Sequence, residues 1–232
     1  MTRLVRLLAR CALIAAVSGC ATSHGLLQTA HTEPPRELRF NAGVSGVINE
    51  NDDAAGRGFA TNTTVEPSMR FGLTEFMDSG LAPWLVTGAM LDAKLNLLPN
   101  AERAAFAPRL AAGYAFGNRS TFGLELGVIG SYRFGEVFEP YAGLHFANHW
   151  FSTRNRSEYA ALASNEQVAE RRGYGDGLVK AALGFDVHFA RGFHLLLEYA
   201  HWFPANNDPG DGYAFVSNDI LALSASYHLS GR

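Results

Sequence analysis

Apolar and polar residues alternate with a period of two through most of the chain after residue 37. Successive residues of a β-strand point to opposite sides, so each alternating segment has one apolar face and one polar or small face. The pattern predicts ten strands, at about 38–49, 64–73, 79–87, 89–98, 105–116, 120–134, 137–151, 177–190, 192–203 and 215–229. Pro83 and two flanking glycines interrupt the third, so an eight-stranded fold stays open.

The lengths of the connections also follow a pattern. Short gaps follow the second, sixth and eighth strands, whereas long gaps at 50–63, 152–176 and 204–214 follow the first, seventh and ninth. Antiparallel barrels of bacterial outer membranes combine short periplasmic turns with longer outer loops. We therefore expect an all-β, antiparallel up-and-down barrel with both termini on the periplasmic side.

Two closed architectures fit such strands. A soluble ligand-binding barrel places its apolar face inside, whereas a transmembrane barrel places it outside and keeps polar groups in the lumen. Here the polar faces carry balanced charges interleaved with glycines, which suits a narrow lumen and favours the transmembrane barrel. We expect a lumen charge network made of Arg39, Glu66, Arg70, Asp92, Lys94, Arg109, Glu125, Arg133, Glu139, Lys180, Asp186 and Glu198.

The apolar faces place large aromatic residues near the strand ends, where transmembrane barrels carry interfacial girdles. These residues are Phe40, Phe71, Phe116, Phe134, Phe138, Trp150, Phe189, Phe193 and Phe203.

The first twenty residues are typical of an export signal. Three arginines precede a short apolar stretch from Cys11 to Val17, and no acidic residue occurs among them. Val17-Ser18-Gly19-Cys20 resembles the lipobox of bacterial lipoproteins, in which the cysteine is acylated and becomes the mature N-terminus. An ordinary signal that leaves Cys20 as a free thiol is the alternative. We expect a signal peptide at 1–19, a lipidated N-terminus and flexible tether at 20–37, and a barrel at 38–232.

Removal of the signal leaves 16 basic and 22 acidic side chains, a formal charge of −6. This balance shows no nucleic-acid footprint. Once Cys20 carries lipid, no pair of cysteines is left for a disulfide. No later run of 18 apolar residues could form a transmembrane helix.

Residues 38–229 resemble small outer-membrane β-barrel proteins of Gram-negative bacteria. The resemblance rests on the strand pattern, on Met69-Arg70-Phe71-Gly72-Leu73-Thr74-Glu75, and on Tyr227 near the end of the last strand. It implies an outer-membrane location, with membrane lipids, lipopolysaccharide, and the outer-membrane assembly and lipoprotein-sorting machineries as partners. Leu229 stands where an aromatic residue usually ends such chains.

Histidines are the main candidates for chemistry. His145 and His149 share one face of the seventh strand, and a hydrogen-bonded lumen pair is favoured over a metal site because no third ligand is evident. His201 begins a segment that faintly resembles a strand end of outer-membrane lipid A deacylases, which carry a serine nucleophile two residues later. Phe203 stands at that position, so the histidine has no hydroxyl to activate.

We therefore expect a non-enzymatic outer-membrane lipoprotein with a structural or surface-interaction role, without cofactor or metal. The alternatives are a small gated pore and a lipid-modifying hydrolase.

Overall fold

Ten antiparallel β-strands form a closed barrel in the computed structural model, which describes residues 27–48, 63–84, 88–115, 119–153, 175–189, 192–204 and 218–229. This confirms the predicted fold class and strand number. The strands are β1 (Leu38–Ile48), β2 (Thr63–Thr74), β3 (Met77–Trp84), β4 (Gly88–Leu95), β5 (Ala104–Ala115), β6 (Arg119–Tyr132), β7 (Phe138–Thr153), β8 (Gly175–His188), β9 (Phe193–Pro204) and β10 (Asn218–Leu229).

The ring closes through β1, which pairs with β2 on one side and with β10 on the other. The closing pair runs in register from Leu38 opposite Leu229 to Ile48 opposite Asp219. The third and fourth strands pair separately from Met77 opposite Leu95 to Trp84 opposite Gly88, which excludes the eight-stranded alternative.

Leu38 and Leu229 mark one end of the barrel, here called the terminal rim. Within the described part of the chain, the segments that join strands at this rim are 75–76, 96–103 and 133–137. Connections after the odd-numbered strands leave from the opposite rim, and these include all three long ones. The asymmetry expected from the sequence therefore corresponds to two different ends of one barrel.

The outward face is apolar. One leucine from each of five consecutive strands, β4 to β8, is between 52% and 64% exposed; these are Leu91, Leu110, Leu126, Leu144 and Leu183. The inward positions carry most of the charged side chains, almost all of them buried. A barrel in water would bury the leucines and expose the charges, so this inverted arrangement defines a transmembrane β-barrel. No described helix is long and apolar enough to cross a membrane.

Aromatic side chains cluster on the outer surface near the two rims. Beside the terminal rim, ring pairs with centroids 4.8 to 5.9 Å apart are Tyr132–Phe134, Phe138–Phe185 and Phe189–Phe193. Beside the opposite rim, Phe122 stacks on Trp150 at 5.4 Å. These positions suit the two headgroup levels of a bilayer. Phe116, another expected girdle residue, lies outside the described residues.

Residues 27–37 do not form the flexible tether that the sequence predicted. Five side chains of this segment are at most 8% exposed, namely Leu27, Gln28, Thr29, Ala30 and Glu33. The segment lies inside the barrel, and a turn at residues 34–37 reverses the chain into β1. Arg36 has a φ of 68° in this turn, and its amide donates to the Gly72 carbonyl at 2.9 Å. The predicted signal peptide and Cys20 lie outside the described residues.

We predict that Leu126→Arg lowers the free energy of unfolding from bilayers by about 2–4 kcal/mol, because it places a charge in the hydrocarbon layer. Leu126 lies at the middle of β6 and is 59% exposed. The control is Leu97→Arg in the connection between β4 and β5. Denaturant titration in lipid vesicles measures both, and equal effects would contradict a lipid-facing position for Leu126.

Candidate functional site

An alternating chain of acids and bases crosses one side of the lumen. Arg70 bridges Asp78 and Asp92, with a distance of 2.7 Å from Arg70 Nη2 to Asp92 Oδ1. Arg109 then joins Asp92 at 3.0 Å to Glu125 at 2.9 Å. These side chains come from five strands, β2 to β6, so the network ties together half of the ring.

Glu125 connects this network to side chains of β7 and β8. His145 Nδ1 lies 2.9 Å from Glu125 Oε1, and Lys180 Nζ lies 3.6 Å from the same oxygen. Lys180 in turn lies over the ring of Trp202, 5.7 Å from its centroid. The polar contacts therefore reach across β6, β7, β8 and β9 without leaving the lumen.

A second group of charges lies near the terminal rim. Arg39 contacts Asp186 at 3.3 Å and Glu33 at 3.5 Å, and Arg133 contacts Glu139 at 3.1 Å. Burial alone would raise the pKa of Glu33, but the neighbouring His228 and the charge of Arg39 outweigh it and lower that pKa to about 2. Glu33 is therefore ionised at neutral pH and belongs to the charge balance of the lumen.

Residues 27–35, here called the plug, bind the lumen wall through their backbone. Three plug amides donate to wall side chains: Leu27 to Glu198 at 2.8 Å, Ala30 to Ser131 at 3.2 Å, and Glu33 to Asp78 at 3.0 Å. The plug adds buried backbone groups to the lumen, and each of these three amides has a defined acceptor.

Lys94 of the wall also binds the plug, but here the wall donates and the plug accepts. Its ammonium group donates to the carbonyl oxygens of Thr29 at 2.7 Å and His31 at 2.6 Å, and it lies 3.5 Å from Asp78. Because an ammonium has three donors and no acceptor, two carbonyls and a carboxylate are suitable surroundings for it. A lysine that is 2% exposed therefore has its charge compensated by the plug and by β3 together.

Glycines on the lumen face make room for these contacts. A Cβ at Gly127 would lie 2.2 Å from the ring of His145, and a Cβ at Gly72 would lie 1.9 Å from the carbonyl oxygen of Pro34. No side chain fits at either position without displacing its neighbour. At these two positions, glycine is needed because a neighbouring group occupies the space that a side chain would take.

The structure places the twelve lumen charges expected from the sequence on inward positions. Ten of the residues are at most 6% exposed, and the Asp92 side chain is 8% exposed. Arg133 differs, because it lies at the terminal rim with 33% of its side chain exposed.

Sequence reasoning missed the charges that lie outside its expected strands. Asp78 is fully buried, but the third strand was expected to begin at residue 79 rather than at Met77. Glu33 and His31 were assigned to the tether. Asp78 could have been found from the sequence, because the period-two alternation extends back through Gly80 and Asp78. The plug residues carry no such periodicity.

The structure separates the candidate histidines by environment. His145 is 1% exposed beside Glu125, whereas the side chain of His149 lies outside what the structure describes. His201 faces outward near the opposite rim, with Nδ1 2.6 Å from Asp219 Oδ1. Tyr199 also donates to Asp219, and the ring of Phe203 packs 4.3 Å from that of His201. The position two residues after His201 is thus filled by an aromatic ring.

Comparisons with known proteins find likeness at the level of fold. No protein-family model matches the chain, and no curated protein matches it. Among solved structures, the outer membrane protease OmpT from Escherichia coli is 10% identical, with 88% of this chain and 100% of that chain covered and a TM-score of 0.45. The N-terminal barrel domain of Pseudomonas aeruginosa OprF is 10% identical, with 85% and 100% covered and a TM-score of 0.41. Ail of Yersinia pestis is 10% identical, with 84% and 99% covered and a TM-score of 0.38.

We predict that Arg109→Met destabilises the barrel by about 3–5 kcal/mol, because it leaves Asp92 and Glu125 as buried carboxylates with one fewer counter-charge. The matched control is Arg133→Met: a third of the Arg133 side chain is exposed, and the buried Glu139 keeps His31 at 2.7 Å, so the expected loss is smaller than at Arg109. Urea titration of the refolded proteins measures both. A loss at Arg109 no larger than at Arg133 would show that the lumen network is solvated.

We also predict that Gly72→Val loosens the plug, because the added side chain would clash with the backbone of Glu33 and Pro34. The melting temperature should fall, and proteinase K should trim residues 27–35 from the folded barrel. Gly130→Val is the control, since a Cβ there meets no atom within 4 Å. If proteinase K trims neither variant and both melt at the same temperature, the plug does not pack against Gly72 as described.

Proposed function

We propose that this protein is a lipid-anchored β-barrel of the Gram-negative outer membrane, with a sealed lumen and a structural or surface-interaction role. The observation that carries the proposal is the plug, which occupies the lumen and is bound by Lys94, Glu198, Ser131 and Asp78. A barrel built for diffusion needs a continuous water-filled path, whereas here the chain fills its own interior.

The size of the barrel and its remaining internal space support the same role. Ten strands enclose a lumen that side chains largely fill, in contrast to the aqueous channels of barrels with 16 or more strands. A cavity of about 30 Å³ lies beside Leu27, Asn41, Glu66 and Arg109, with room for a few ordered water molecules.

The outer membrane is the proposed location because transmembrane β-barrels are proteins of that membrane in Gram-negative bacteria. The export signal and the lipobox-like Cys20 support passage through the periplasm by the lipoprotein-sorting route. The outward Tyr227 on the last strand supports delivery to the barrel assembly machinery, and the apolar belt supports membrane lipids and lipopolysaccharide as neighbours.

Purified protein in planar bilayers tests the sealed lumen. We expect no steady conductance at neutral pH, because the plug and the ion pairs occupy the lumen in the described part of the chain. Deletion of residues 27–35 removes the plug, so this variant is the positive control and should conduct. Reproducible channels from the full-length protein would overturn the sealed-lumen proposal in favour of a gated pore.

The lipid anchor has its own test in Cys20→Ala. We expect the variant to lose the acyl mass from its N-terminal peptide in mass spectrometry. It should nevertheless stay in the membrane fraction with heat-modifiable migration on gels, because the apolar belt alone holds the barrel. A folded, soluble Cys20→Ala protein would contradict the transmembrane assignment, and a wild-type Cys20 peptide without added acyl mass would contradict acylation.

A hydrolase is the second candidate, and the His201–Asp219 pair at the membrane-facing surface favours it. Such a pair can orient an imidazole as a general base, but the base needs a nucleophile or a water to activate. Lipid A from cells with the wild-type protein and with His201→Ala should have the same mass if the protein is not an enzyme. A lost acyl chain that depends on His201 would establish the hydrolase instead.

A further inference from the structure

Three histidines form a stack inside the terminal rim, one from each of the last three strands. His188 of β8 and His194 of β9 have ring centroids 4.2 Å apart, and His194 and His228 of β10 have centroids 4.4 Å apart. All three point into the lumen, where carboxylates from the wall and the plug surround them. None of these rings is among the four residues named above as binding the plug, although His228 Nδ1 lies 3.1 Å from Glu33.

The sheet register brings two of these rings onto one carboxylate. His188 is directly opposite His194, and Asp186 lies two residues earlier on the same face of β8. His188 Nε2 lies 3.4 Å and His194 Nδ1 lies 3.2 Å from Asp186 Oδ2. One ligand atom from each of the three residues lies within 4.8 Å of the other two. Two nitrogens and one oxygen at this separation can share a single cation.

Two of these residues have buried polar atoms without hydrogen bonds. Asp186 Oδ1 has no hydrogen-bond partner within the described parts of the chain, and neither has His188 Nε2, whose 3.4 Å contact with Asp186 Oδ2 lacks hydrogen-bond geometry. Buried polar atoms in folded proteins are nearly always paired, so such atoms point to a ligand. Asp186 is 1% exposed, and Arg39 contacts only its other oxygen, Oδ2, at 3.3 Å.

The surrounding charges leave room for a cation. The carboxylates of Glu33, Glu139 and Asp186 face two guanidinium groups, those of Arg39 and Arg133. With neutral imidazoles the group has one more negative than positive charge. Buried groups carry a large penalty for uncompensated charge. Either a proton on one imidazole or a bound cation compensates it.

We propose that Asp186, His188 and His194 bind a divalent transition-metal cation, with Zn²⁺ as the best match. Two imidazole nitrogens and one carboxylate oxygen are a zinc donor set, and water completes the tetrahedron. Nitrogen-rich sites of this kind favour Zn²⁺ over Mg²⁺ and Ca²⁺, which prefer oxygen ligands. This proposal differs from the expectation from sequence that the protein holds no metal. The three ligands are brought together only by the pairing of β8 with β9, which the sequence alone does not reveal.

The location determines how the metal would enter. The side chains of His188 and His194 are 16% and 12% exposed, so the cluster can be reached from the terminal rim. A bound ion would join β8 to β9 beside their connection. It would also fix Asp186, which contacts Arg39, and Arg39 in turn contacts Glu33 of the plug. We therefore expect binding to raise the melting temperature of the barrel.

The test uses the full barrel in detergent micelles, purified with a histidine-free tag. Isothermal titration with Zn²⁺ should show one site, and Co²⁺ should give the intense visible absorption of tetrahedral coordination. His188→Gln and His194→Gln should each weaken Zn²⁺ binding at least tenfold, since even the loss of outer-shell partners costs about 10–100-fold. His201→Gln is the matched control, because it removes a histidine that pairs with a carboxylate on the outer face.

The result expected is one Zn²⁺ site that is lost in the two lumen variants, kept in His201→Gln, and accompanied by a rise in melting temperature. Absence of binding in the wild type would overturn the proposal and assign the charge compensation to a protonated imidazole. Binding that survives in both lumen variants would also overturn it, because the ion would then lie elsewhere. Far-UV circular dichroism of each variant shows whether the barrel has folded.

Discussion

The pairing of charges inside a ring of strands is the constraint on which this structure depends. A transmembrane barrel must show apolar side chains to lipid, so its charged residues are confined to the lumen. There each charge needs a counter-charge and hydrogen-bond partners, because removal from water costs several kcal/mol per ion. Arg70 and Arg109 meet this demand by bridging acids from different strands, and Lys94 of β4 pairs with Asp78 of β3. The same contacts fix the strands relative to one another.

The wall alone does not satisfy all of these groups. Lys94 uses two carbonyls of the plug, Arg39 uses Glu33, and Glu198 accepts the amide of Leu27 as well as the hydroxyl of Tyr141. The plug in turn obtains partners for a backbone that would otherwise be buried without them. Lumen and plug are therefore complementary, and removal of either leaves buried polar atoms in the other. This mutual dependence is the physical basis for a sealed barrel.

The strands and their faces could be predicted from the sequence because both follow from local alternation. Leu126 and Glu125 are adjacent in sequence, and the period of two alone assigns one to lipid and the other to the lumen. The plug could not be predicted in this way, because residues 27–35 have no periodicity and the acceptors of their three amides lie 45, 101 and 171 positions away. Pro34 and Pro35 lie in the turn that leads from the plug into β1.

The candidate site shows the same division between local and distant information. The identity of the lumen charges was visible in the sequence, but their pairing was not, since it depends on which strands are neighbours and on their register. His188 and His194 lie six positions apart, a spacing without a metal motif, and only the register of β8 and β9 places them opposite each other. Asp78 was missed because a two-residue error in a strand boundary excluded it from the sheet.

Hydrogen–deuterium exchange of the plug amides tests the central claim most directly. The amides of Leu27, Ala30 and Glu33 donate to buried side chains of the wall. They should therefore exchange as slowly as amides in the middle of the strands when the full barrel is held in a bilayer nanodisc. Exchange within seconds, as expected for a solvated tether, would contradict a lumen that is completed and sealed by its own N-terminal segment.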